Sequence, residues 1–221
     1  MKHLALMGTL LWMCGAGSAW AQAETQEPFQ EGVHYVRIDQ APAPRDIVEV
    51  TEVFSYRCSH CNTFEPYMQA WNARKPAGVE LTRIPVVFGR RDWELYARAY
   101  VTASVMGIAE QTHVPMMDAI WKERRDMRSM EALADFYAGF GVTREQFLAT
   151  AESFAVDAQM RREQRQVQIY GVTGTPTLIV NGQFRVAGNQ AVPSYDDMLR
   201  VVDYLVAREL AALESTPAAD S

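Results

Sequence analysis

Two cysteines with two residues between them, Cys58-Ser59-His60-Cys61, are the part of this sequence best equipped for chemistry. A thiol pair at that spacing can close a disulfide, exchange it with another molecule's thiols, or hold a soft metal ion. As a structural staple it would do little, because closing so short a loop removes little entropy from the unfolded chain. As a zinc site it is short of ligands. Zinc usually takes four, whereas the chain has four histidines, one of them His3 at the far N-terminus, and no second cysteine pair. Reversible thiol–disulfide exchange is the chemistry the pair fits best.

Exchange needs a thiolate, so the surroundings of the pair matter. Ile47 to Tyr56 (IVEVTEVFSY) is rich in β-branched and aromatic residues and predicts a strand. Beyond Cys58 the period changes, and Phe64, Tyr67, Met68 and Trp71 fall on one face of a helix kinked at Pro66. Cys58 is therefore expected where a strand hands over to a helix. There the unpaired amides and the helix dipole favour an anion, and a cysteine pKa can fall from about 8.5 to about 3.5–7.5. Stabilising that thiolate favours the reduced protein and makes its disulfide an oxidant. His60 lies between the sulfurs and Arg57 just before them. Either could offer Cys58 a positive charge or a hydrogen-bond donor.

Two further features bear on the pair. Gly174-Thr175-Pro176-Thr177 leads into the apolar run TLIV. Alone, Pro176 reads as the first residue of a strand, where a missing N–H is tolerated. Glu52 interrupts the apolar strand six residues before Cys58. It either faces solvent or is a buried carboxylate near Cys61, able to take up or relay that thiol's proton. A buried charge needs a partner, and Arg83 in the next strand is the candidate.

The elements that must position these residues follow from the rest of the chain. Residues 1–23 carry Lys2, an apolar run from Leu4 to Cys14, and small residues ending near Ala19-Trp20-Ala21 or Ala21-Gln22-Ala23. That is the layout of a cleaved export signal. The run is too short to span a bilayer comfortably, and Met13 is a poor neighbour for lipid attachment at Cys14. Cleavage would leave Cys58 and Cys61 as the only cysteines, in an oxidising compartment. Losing Lys2 moves the formal charge from −6 to −7, which argues against nucleic acid as a partner.

Strands are expected at His34–Ile38, Ile47–Tyr56 and Val79–Phe88. Helices are expected from Arg91 to about Tyr170, including one at Val114–Met127, one opened by Ser129 and stopped by Gly139 and Gly141, one capped by Thr143 and Gln146, and one at Phe154–Ile169. Thr177–Val180, Asn181-Gly182 and Phe184–Ala187 predict a hairpin. Pro193-Ser194 with Asp197 opens a last helix through Tyr204 to Leu210, and a disordered tail is expected from 215 to 221. The fold class is α/β with a central mixed sheet. Residues 24–90 and 171–214 form the sheet domain, and 91–170 an inserted all-helical domain.

Taken together, these residues resemble the DsbA family of the thioredoxin superfamily. The resemblance rests on Glu52-Val53-Phe54-Ser55-Tyr56 before Cys58, the His60-Cys61 end of the motif, Phe64-Glu65, Pro66, the Val79–Phe88 strand, the helical insertion and Thr175-Pro176. Ser59 stands where that family's motif usually has proline, which touches its oxidising strength.

The resemblance implies a thioredoxin-like fold and a periplasmic protein disulfide oxidoreductase, a monomer with no cofactor beyond its own Cys58–Cys61 disulfide. It further implies that Cys58 forms a mixed disulfide with unfolded or reduced exported polypeptides. Cys61 re-forms the disulfide during reoxidation by a DsbB-like membrane quinone reductase. Peptide would dock at Ser59 and beside a cis Thr175–Pro176 bond, and the family's buried acid and its basic partner fall on Glu52 and Arg83. Two other readings of the same residues are an isomerase or reductase of the same fold, and an exported copper or metal chaperone using both thiols and His60.

Overall fold

The computed structural model describes residues 27–39 and 46–215; the expected export signal and residues 216–221 of the expected tail lie outside them. Five strands form one sheet. They are β1 (Val36–Arg37), β2 (Val48–Phe54), β3 (Val79–Pro85), β4 (Thr177–Val180) and β5 (Phe184–Ala187). Their order across the sheet is β1-β5-β4-β2-β3. β2 and β3 run parallel, which needs a crossover, and α1 (Ser59–Arg74) supplies it. The remaining pairs are antiparallel. The sheet is mixed, as expected.

Alternation along the strands divides the side chains between two layers. Val48, Val50, Leu178, Val180, Phe184 and Val186 pack against Phe64, Met68 and Trp71 of α1 and against Val201, Val202 and Leu205 of α7 (Tyr195–Ser215). Val53, Ile84 and Ile179 belong to a second cluster, continuous with the helices between β3 and β4. Those helices are α2 (Arg91–Val105), α3 (Ala109–Trp121), α4 (Met130–Tyr137), α5 (Arg144–Ala151) and α6 (Phe154–Ile169), with a 3₁₀ turn at Ala138–Phe140. The helical segment thus shares a core with the sheet.

Local signals decide most element boundaries. Ser129, Thr143 and Ser153 each accept a first-turn N–H, and Thr143 and Gln146 form the full reciprocal box. Asn181 and Gly182 turn the hairpin with φ of 53° and 66°. Ser194 caps α7 by accepting from the Asp197 N–H at 3.1 Å.

Three expectations are corrected. α3 begins at Ala109, not Val114, because Gly107 in the left-handed region (φ 73°) ends α2 and the chain recoils at once. Pro115 then sits inside α3, which ends before Arg124 turns left-handed at φ 56°. β3 stops at Pro85 because Phe88 and Gly89 both have positive φ. α7 runs through Ser215, one residue into the expected tail.

Candidate redox site

Cys58 is the N-cap residue of α1, extended at φ −98° and ψ 116°. The approach to it is braced. The Cys58 N–H donates to Ser55 O at 3.0 Å, and the Arg57 N–H donates to Ser55 Oγ at 3.1 Å. Trp121 at the end of α3 donates from Nε1 to Tyr56 O at 2.9 Å. On the far side, the Tyr195 hydroxyl of α7 donates to His60 O at 3.1 Å. The two sulfurs therefore sit on a turn fixed by β2, α3 and α7.

Both cysteines are free thiols in this structure. Cys58 is 9 % exposed and Cys61 is fully buried. The Cys58 pKa is lowered to about 5, chiefly because the Cys61 thiol donates to its sulfur. Burial opposes that. The Thr175 side chain and the amides of Cys61 and His60 reinforce it. Those amides belong to the two positions whose N–H groups a capping side chain normally satisfies, so the sulfur takes the place of a serine or aspartate oxygen. Cys58 Sγ also lies 3.4 Å from Thr175 O. That contact is a hydrogen bond only while the thiol keeps its proton, so it cannot be what lowers the pKa. Cys61 shifts the other way: burial first, then Cys58 and Glu52, push its thiol far above the ordinary range.

The Thr175–Pro176 peptide bond is cis and its loop faces Cys58, as the resemblance implies. A 330 Å³ groove beside it is lined by His60, Thr175, Pro176, Arg185 and Tyr195, among others. Ser59 is exposed at the first position of α1. The His60 ring is exposed, and what His60 supplies to Cys58 is its backbone amide. Arg57 turns its guanidinium to Asp92 at 3.7 Å and over the Tyr96 ring at 5.5 Å, away from the role open to it by sequence position.

Glu52 is completely buried, and Arg83 Nε donates to its Oε2 at 3.0 Å. The two residues are direct register partners on the parallel strands β2 and β3. Around them lies a cluster that sequence reading did not assemble. Glu65 of α1 is 3.9 Å from the Arg83 guanidinium and 3.0 Å from His113 Nε2. His113 Nδ1 is 3.2 Å from the Tyr56 hydroxyl. Arg83 also reaches the exposed Glu110 at 3.1 Å.

Burial raises the Glu52 pKa against the pull of Arg83, and raises Glu65 to about 7. Burial and then Arg83 hold His113 down at about 3, so the imidazole is neutral. Burial also works against the Arg83 charge, but Glu52, Glu65 and Glu110 overcome it and keep the guanidinium ionised. Glu52 Oε1 and Glu65 Oε1 are buried without a hydrogen-bond partner among the described residues. One cation thus serves two buried carboxylates, an arrangement that readily holds a proton near neutral pH. Atoms of Glu52, Glu65 and His113 lie within 4.8 Å of one another, close enough to ligate a metal. Arg83 already occupies the place of the cation.

The signals for the missed members were faint: a histidine among apolar residues (Thr112–Met117) and a glutamate on the apolar face of α1.

Residues 49–200 match the model of the DSBA-like thioredoxin domain. The thiol:disulfide interchange protein DsbA of Pseudomonas aeruginosa is 35% identical over 216 residues, covering 96% of this chain and 99% of that protein. The DsbA of Pseudomonas syringae pv. tomato is 35% identical over 97% of this chain and 99% of its own length. Among solved structures, P. aeruginosa DsbA superposes with a TM-score of 0.75 at 35% identity, covering 85% of this chain and 97% of that one. Xylella fastidiosa DsbA gives 0.74 at 38% identity, over 80% and 96%. The relatives are interchange proteins, and the metal-chaperone reading of the thiols and His60 is set aside with them.

Proposed function

This chain belongs to the DsbA family of thioredoxin-fold proteins and is a protein disulfide oxidoreductase, and on that footing we propose that it donates the Cys58–Cys61 disulfide to reduced exported polypeptides. The observation that supports this most is the opposite pKa shift of two sulfurs one helical turn apart.

A client thiolate attacks Cys58 of the oxidised protein. A mixed disulfide forms, and Cys58 is the sulfur whose environment favours an anion, which makes it the better leaving group when a second client thiol attacks. The client leaves oxidised, and the protein is left with a Cys58 thiolate and a Cys61 thiol. Ser59 and the Thr175–Pro176 loop border Cys58 and are the surface on which client backbone would lie.

Reoxidation requires Cys61 to lose its proton in a place that strongly favours the thiol. In this reading Glu52 accepts it, helped by the neighbouring Arg83 and Glu65. His60 contributes its first-turn amide, with its exposed ring at the client groove. The family works through its own cysteine pair, and the reading adds no cofactor. It also includes reoxidation by a DsbB-like membrane quinone reductase, a periplasmic location after loss of residues 1–23, a monomeric state, and 91–170 as the inserted helical unit. No helix among the described residues is long and apolar enough to cross a membrane.

The test is a redox equilibrium with glutathione, together with oxidation of a dithiol peptide. An oxidant has a potential well above thioredoxin's −270 mV or so. A value near thioredoxin's contradicts donation and favours the reductase reading. Replacing Glu52 by Gln should slow reoxidation at neutral pH and leave the Cys58 titration nearly unmoved; equal rates for the two proteins would remove Glu52 from the mechanism.

A further inference from the structure

Arg57, the residue before Cys58, borders a second groove that the reaction above does not use. The cleft measures 880 Å³ and runs between the start of α2 and the segment joining α3 to α4. Five arginines line it, Arg57, Arg91, Arg124, Arg125 and Arg128, against two acids, Asp92 and Asp126. The chain as a whole carries −6, so the groove is a local reversal of sign.

Both acids are already engaged. Asp92 faces Arg57 at 3.7 Å, and Asp126 pairs with Arg128 at 2.8 Å. Arg91, Arg124 and Arg125 form no ion pair among the described residues. The loop that carries two of them is held in place: Arg124 turns left-handed at φ 56°, and the Arg125 N–H donates to Ala119 O at 2.9 Å. Tyr96 and Met127 give the cleft an apolar floor.

The groove on the other side of Cys58 is different. Arg185 is the one permanently charged side chain lining it, and its guanidinium is spent on the Tyr170 and Gly171 carbonyls. A chain whose cysteine reaches Cys58 therefore meets a near-neutral surface on one side and, on the other, guanidinium groups with no ion pair among the described residues, Arg125 lying over the Phe136 ring at 5.4 Å.

We propose that the arginine groove docks an acidic segment of the client polypeptide, on one flank of its reacting cysteine. The proposal rests on Cys58 being the exchanging sulfur. Guanidinium forks match carboxylates in geometry as well as charge. Complementary charge at a groove mouth raises the encounter rate and fixes orientation more than it adds affinity. The groove would then select among clients and set the direction in which they lie.

The experiment uses dithiol peptides with neutral flanks, with three glutamates before or after the reacting cysteine, and with three lysines in the same places. Second-order oxidation rates are measured at low salt. Glutamates on one flank should raise the rate roughly fivefold over the neutral peptide, and lysines there should lower it, in line with a few exposed charge pairs. High salt should flatten the series. The exposed double substitution Arg124→Glu with Arg125→Glu should reverse the preference and leave the neutral peptide's rate unchanged. Rates independent of flank charge overturn the proposal, as does a preference that survives the double substitution or is equal for both flanks. The neutral peptide separates the two readings: if no form of the protein oxidises it, the donor function fails, whereas oxidation without flank dependence removes only the groove.

Discussion

The start of α1 differs from the start of every other α-helix among the described residues. α2 to α7 each carry an acidic residue in the first turn: Asp92 and Glu94, Glu110, Glu131, Glu145, Asp157, and Asp196 with Asp197. Four of them are also capped by a serine or threonine oxygen. α1 has no acid in its first turn and no oxygen cap; its N-cap residue is Cys58. Elsewhere the dipole and the free amides are met by permanent partners that stabilise the fold. At α1 they are left for a sulfur whose charge comes and goes with the redox cycle. A helix start that serves chemistry is recognised here by the stabilising residues it lacks.

The largest effect is expected at Cys58 itself. Cys58→Ser restores an ordinary cap, so the protein should fold normally while losing dithiol oxidation altogether. Cys61→Ser keeps the Cys58 thiolate but not the resolving thiol, so given a client that carries a disulfide it should displace one client thiolate and accumulate the Cys58–client mixed disulfide, visible on a non-reducing gel. Activity retained in both would end the assignment of roles.

Next in size is the linkage between charge and stability. A Cys58 pKa lowered to about 5 stabilises the reduced fold above the unfolded thiol's pKa, and the gain is lost as pH falls through 5. Near pH 7 the thiolate should add about 3 kcal/mol to the stability of the reduced form, a contribution the oxidised form lacks. That contribution should fade towards pH 5. Denaturant titration of both forms at a series of pH values measures this, and a pH-independent difference between them would show that the thiolate is not its source.

A buried acid with no ion pair among the described residues, and only the Arg162 charge acting on it from further off, makes the contrast clearer. Glu163 of α6 is 6 % exposed, receives a bond from Gln159 at 2.7 Å, and is raised to about 7 by burial. With a folded pKa above the unfolded one, its contribution is intact below the unfolded value and lost as pH rises through 7. Glu163→Gln should therefore be about 2 kcal/mol more stable than the parent at pH 8, and the gain should fade towards pH 5. Thermal melts at the two pH values decide it.

The smallest effect tests the missing acid directly. Ser59→Asp gives α1 the first-turn carboxylate its sisters have, and the Cys58 pKa should rise by roughly half a unit. No rise would mean that the empty first turn does not matter to the sulfur.

Much of this was legible in the sequence because it is local. The strand-to-helix joint at Cys58, the Thr143–Gln146 box and the Asn181-Gly182 turn each depend on neighbouring residues. Glu52 and Arg83 were readable because adjacent strands put them in register. Glu65 and His113 were not, since α1 and α3 meet through packing that no spacing encodes. Position alone left the roles of His60 and Arg57 open: both flank the sulfur in sequence, and the first gives it a backbone amide while the second turns to Asp92. Pro115 sits within α3 rather than at its start.

An anionic sulfur at the head of α1 is tested most directly by a pH titration of the reduced protein that follows thiolate ultraviolet absorbance. The structure predicts one thiolate appearing at about pH 5 and the other thiol remaining protonated through the alkaline range. Two thiols ionising together at about 8.5, as in a free peptide, would contradict it.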